Sequence, residues 1–134
     1  MTLAALRRDL VALTCAISAG IHGALVPEHF EERTGAGLGF VVATAALAAI
    51  VLWLWRQPAS PGALVSAAVV LAGLLVSYGL AVTSGLPVLH PEPEALDGLA
   101  LATKAIEVIG FLAASSLLWQ PPAAFISQAK GTPT

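Results

Sequence analysis

The chain has 134 residues, of which 57% are hydrophobic and 10% charged, with a formal net charge of −2. Its mean hydropathy of +0.87 is above that of a soluble domain of this size, and the length holds one domain and no more. Near-neutral charge leaves no basic surface for nucleic acid, and a single cysteine, Cys15, excludes an internal disulfide or a multi-cysteine metal cluster.

Four apolar segments follow along the chain, at about 10–26, 35–55, 63–86 and 96–119. Each is close to the ~20 residues that cross a ~30 Å hydrocarbon core as a helix. None alternates with period two, as the strands of an outer-membrane barrel do. The expected fold is an all-α integral membrane protein, a four-transmembrane-helix bundle occupying 1–134, with 120–134 as a cytoplasmic tail.

Arg7 and Arg8 before the first segment give it the general outline of a signal peptide. His22 interrupts the apolar run and no clean small-x-small site follows, so the segment reads as a retained helix. Ala12-Leu13-Thr14 ahead of Cys15 is a poor lipidation context. Cys15, Ser18 and His22 follow i, i+3, i+7 and share one helical face. The first outer loop then carries Glu28, His29, Glu31 and Glu32. Imidazole and carboxylate suit a transition-metal ion, which makes Glu28, His29 and Glu32 candidate ligands. The spacing contains no H-x3-H or E-x-x-H, so a solvated acidic loop explains the same residues.

The second segment ends in Trp53 and Trp55, placed as interfacial anchors, and Pro58 and Pro61 punctuate the turn to the third. In the third, Ser77 and Ser84 share a face with Tyr78 beside them, able to bond their own helix carbonyls or to add polar groups inside. The second outer loop holds His90, Glu92, Glu94 and Asp97. On a helical wheel of the fourth segment, Asp97, Lys104, Glu107, Phe111 and Ser115 fall within roughly 80° of arc. Lys104 then lies about 10 Å, and Glu107 about 15 Å, inward from Asp97. Ionised groups at that depth are expensive unless paired or hydrated, and the i,i+3 spacing permits a Lys104–Glu107 contact. Trp119 and Pro121-Pro122 end the segment. Gly20, Gly23, Gly35, Gly37, Gly39 and Gly110 would let helices approach closely.

Arg7, Arg8, Arg56 and Lys130 on one side against Arg33 on the other place both termini in the cytoplasm. The halves also align at an offset of 64 residues, pairing Pro27-Glu28 with Pro91-Glu92, Trp55 with Trp119 and Pro58-Ala59 with Pro122-Ala123. Eight of 33 positions match over 27–59, which suggests two tandem parallel-repeat hairpins; shared helix punctuation is the plainer explanation. Within that alignment Lys104 meets Phe40, Glu107 meets Ala43 and His22 meets Leu86, so only one half keeps polar groups at depth.

Two functions compete on these residues. In the first, His22, Lys104, Glu107 and Asp97 line an outward-facing polar pocket that binds a cation, a proton or a small polar ligand. Glu28 and His29 then stand at its mouth, and the protein is a transporter or binder rather than an enzyme. In the second, Lys104 and Glu107 fix helix packing in a structural or accessory subunit of a larger membrane complex. A metal-dependent redox protein or enzyme is a third and thinner reading, since no G-x-S-x-G, H-E-x-x-H or paired-cysteine motif occurs. The expected partners are the lipid bilayer of a plasma or bacterial inner membrane, and a second copy or another membrane subunit.

Overall fold

The Thr2 hydroxyl accepts a bond from the Ala5 amide at 3.2 Å and opens the first helix, α1, Leu3–Glu32. The computed structural model describes residues 2–87 and 91–119. After α1 come α2 (Thr34–Arg56), α3 (Pro61–Thr83) and α4 (Gly98–Leu118). The protein is all-helical, and all four helices are long and apolar enough to cross a membrane. His90, Pro121, Pro122, Lys130 and the 120–134 tail lie outside the described residues.

Helix α1 overruns its expected span of 10–26 at both ends. Arg7, Arg8 and Asp9 are helical because Thr2 supplies the cap. Pro27 sits inside the helix; its ring already holds a helical φ, so it loses a single amide bond and the helix continues. Glu28, His29, Glu31 and Glu32 therefore stand on the last turns of α1, not in a loop. The chain reverses at Arg33, whose extended backbone (φ −162°, ψ 134°) ends the helix while its amide still bonds the His29 carbonyl at 2.9 Å. Phe30 packs so closely on Gly37 across this reversal that a β-carbon at 37 would collide with its ring.

At the opposite end, Ser60 caps α3 by accepting from the Ala63 amide at 3.3 Å, with Pro61 in the first turn. Helix α3 stops at Thr83, three residues before the expected 86, because Gly85 takes φ 72°, a conformation that only glycine adopts without strain. The following connection folds back over the end of α3, where the Glu94 amide bonds the Ala81 carbonyl at 3.0 Å. Asp97 then caps α4 by accepting from the Ala100 amide at 2.9 Å. Asp97→Ala should lower stability by about 1 kcal/mol while Asp97→Asn leaves it nearly unchanged; thermal unfolding of the purified protein reads the difference.

The helices form a ring in which each touches its sequence neighbours and α1 closes against α4. The half of the bundle nearer Thr2 and the 57–60 turn has a solid core, beside which a half-open groove of about 250 Å³ runs past Arg8, Ala12, Val51 and Trp55. Val11, Leu47, Ile50, Ala67, Leu71 and Leu117 fill the core from all four helices. The other half is hollow. Unlike a water-soluble bundle, the outer surface is apolar as well as the core, and a few polar groups are held inside. Ser18, His22, Thr103 and Glu107 are buried, while Leu13, Val42, Val69 and Leu112 face outward.

Candidate functional site

Glu107 lies at the boundary between the solid and hollow halves and has no accessible surface. Its Oε2 accepts from Lys104 Nζ at 2.6 Å, one turn back along α4. Its Oε1 accepts from the Ser18 hydroxyl on α1 at 2.8 Å. A buried carboxylate needs such partners, because desolvation of an unpaired one costs several kcal/mol. Helix spacing brings Lys104 and Glu107 together; close packing of α1 on α4 brings Ser18. That packing depends on Gly110, where a β-carbon would collide with the Thr14 side chain and touch Leu71 Cδ1 at 3.0 Å.

His22 completes the cluster from α1. Its Nδ1 is 2.9 Å from the Ser18 carbonyl. A carbonyl only accepts, so Nδ1 carries the proton of that bond. Nε2 then points the other way, 4.0 Å from Glu107 Oε1. His29, two turns on, repeats the arrangement with Nδ1 3.0 Å from the Leu25 carbonyl. The Phe40 ring stands between the two imidazoles, stacked on His29 at 3.7 Å and tilted against His22 at 5.2 Å. It fixes both rings and keeps them apart.

Above this cluster the hollow half contains a half-open cavity of about 590 Å³. Lys104, His22, Phe40, Tyr78 and Ala43 form its inner wall, and Glu28, Glu32, Glu94 and Asp97 lie toward its mouth. Glu107 is not among its lining residues: Lys104 and His22 screen the carboxylate from the void. The Lys104 ammonium also lies 5.4 Å from the centre of the Tyr78 ring, within the range of cation–π attraction.

The structure thus brings His22, Lys104 and Glu107 together, with Asp97 on the same cavity nearer its mouth. Lys104 turns inward to Glu107 and not outward to Asp97, because the i,i+3 partner offers a buried anion and Asp97 already serves as a helix cap. Glu28, His29 and Glu32 line the cavity wall. Among the described residues no three or more His, Cys, Asp or Glu side chains gather as a metal site would require. Cys15 is fully buried in the solid half. Of the six glycines expected at helix contacts, Gly23, Gly37 and Gly110 face a neighbour closely, whereas Gly20 faces open space.

The sequence pattern underrated three participants. Ser18 belonged to a recognisable stripe, yet nothing in α1 alone shows that it bonds a carboxylate on α4. Phe40 and Tyr78 carry no periodic signal that separates a cavity wall from a lipid-facing position. No protein-family model, curated protein or solved structure matches the chain.

Proposed function

We propose that the chain is a multi-pass protein of a plasma or bacterial inner membrane, with both termini cytoplasmic, that binds a small ligand in a cavity open to the extracytoplasmic side. The observation that carries this reading is the position of the charge pair. A pair serving only to lock helices is best sealed on all sides, but Lys104 borders a void large enough for a drug-sized molecule. Lys104 and His22 then face the ligand, and Glu107 acts from behind, holding Lys104 in place.

Membrane insertion is supported by the apolar outer surface, where Leu13, Val42, Val69 and Leu112 face outward while Ser18, His22 and Glu107 are kept inside. Orientation follows from Arg7, Arg8 and Arg56 at one end against Arg33 at the other. The tandem-repeat reading gains support from the cavity itself. Residues 64 apart, Ala36 with Ala100, Gly39 with Thr103 and Phe40 with Lys104, all line it, as they would around a pseudo-twofold axis.

The second reading, an accessory subunit whose charges fix packing, is favoured by one feature: both Glu107 oxygens are already engaged, joining α4 to α1. Cysteine accessibility separates the two. In a Cys15→Ala background, Ala43→Cys should react with a small membrane-impermeant thiol reagent applied to intact cells. Ala67→Cys, fully buried in the solid half, should stay unmodified until the protein is denatured. Failure of Ala43→Cys to react from either side of the membrane would sink the open cavity, and reaction from the cytoplasmic side alone would reverse the orientation.

A further inference from the structure

We infer that the cavity, read as above, takes an elongated organic monocation with a neutral oxygen acceptor at the end opposite its ammonium group. The two ends of the void make different demands. At the mouth stand Glu28, Glu32, Glu94 and Asp97. Among the described residues no lysine, arginine or histidine pairs with any of the four. That concentration of unneutralised carboxylates attracts a cation and repels an anion.

The inner end is already balanced. Lys104 carries one positive charge and Glu107 one negative, in contact at 2.6 Å. A ligand carboxylate brought down to Lys104 would place a second anion beside the fully buried Glu107, with no further fixed cation among the described residues of the cavity wall to offset it. A neutral carbonyl, amide or hydroxyl avoids that repulsion and still finds donors. An ammonium has three N–H groups, and Glu107 takes one of those on Lys104. Two N–H groups of Lys104 therefore remain for one oxygen, while the walls between mouth and floor, including Leu25, Ala36, Leu74 and Leu99, are apolar.

The length of the ligand follows from α4. Asp97 and Lys104 are seven residues apart, or about 10 Å along the helix axis. An extended tripeptide covers about the same distance, which makes trialanine a convenient probe. Its C-terminal amide is a monocation with a neutral far end, the free acid is a zwitterion, and the N-acetyl amide is uncharged.

Calorimetric titration at pH 7 of the full chain in lipid nanodiscs should show the amide binding at least tenfold more tightly than either other form. In Glu28→Gln/Glu94→Gln/Asp97→Asn, the gap between amide and N-acetyl amide should close. In Lys104→Met/Glu107→Leu, which removes the pair together, the amide should weaken while its preference over the N-acetyl form persists. Equal or tighter binding of the free acid, indifference to acetylation, or no binding of any form would each overturn the assignment. If Ala43→Cys is labelled from outside while the peptides fail, the ligand class falls and the cavity stands; if labelling fails too, the cavity falls with it.

Discussion

Lys104→Met is expected to be the most damaging single substitution in the chain, lowering stability by about 3–5 kcal/mol, the usual loss when one partner of a buried ion pair is removed. The reason is the asymmetry of burial within the pair. Glu107 has no accessible surface, whereas the Lys104 side chain keeps 15% exposure along the cavity wall. Without the ammonium, the carboxylate retains one hydrogen bond, from the Ser18 hydroxyl at 2.8 Å, with His22 Nε2 farther off at 4.0 Å. Glu107→Leu should be milder, because the freed Lys104 can extend into the cavity and meet water. The double variant Lys104→Met/Glu107→Leu should recover most of the loss, since replacing both charges with apolar groups removes the desolvation penalty entirely. A double-mutant cycle by thermal or denaturant unfolding in detergent micelles measures all four species. Equal losses in the two single variants with no recovery in the double would mean that burial of this pair does not control stability.

The same experiment weighs the two functional readings. If the double variant folds normally and the trialanine amide still binds as tightly as to the native chain, the charges serve packing alone. If it folds normally and binding weakens, Lys104 acts on the ligand.

The features legible in the sequence are those that obey one-dimensional rules. Four helices follow from hydropathy and length, and the Lys104–Glu107 contact follows from i,i+3 spacing, because both partners ride on one element. Contacts between elements were only half visible. The stripe of Cys15, Ser18 and His22 does turn inward, but the buried face of α4 runs through Thr103, Glu107, Gly110, Ala114 and Leu117, rotated from the polar stripe through Phe111 and Ser115. Close approach of backbones at Gly110 decides which face turns in, and polarity alone does not encode that. Helix ends were misjudged for a similar reason. Hydropathy stops at Val26, yet a helix projecting beyond the apolar span can continue through Pro27, losing one hydrogen bond where water or polar groups replace it. That extra turn carries Glu28 and Glu32 to the cavity mouth.

The polar residues point to a pocket at the outer end, but the apolar residues do not show where the void stops. Leu47 and Leu71 in the solid part, and Leu74 and Leu86 around the void, are chemically alike. What separates them is how far apart the helices stand at each level. At the solid end, small residues such as Ala63, Ala67 and Ala114 draw the helices together. At the hollow end, α1 and α2 stay close through Gly23, Gly37 and Phe40, and the void opens between them and α3 and α4. Glu107 sits where one regime gives way to the other.

Gly110→Val should test that junction directly, with a loss of about 1–3 kcal/mol, the range for overpacking a tight core. The substituted side chain has nowhere to go: its β-carbon alone would strike Thr14 on α1 and press Leu71 on α3. Thr14 cannot swing away easily, because its hydroxyl is bonded to the Leu10 and Val11 carbonyls at 2.9 and 3.0 Å. Helix α4 must therefore move off α1, and the Ser18–Glu107 bond, three residues along α4, lengthens with it. Gly20→Val supplies the control, since a β-carbon there meets no atom within 4 Å and stability should change by less than about 0.5 kcal/mol. A Ser18→Ala substitution placed on top of Gly110→Val should then be less harmful than in the native chain, because the bond it removes is already weakened. Full additivity of the two substitutions would show that Gly110 does not govern the distance across which Ser18 reaches Glu107.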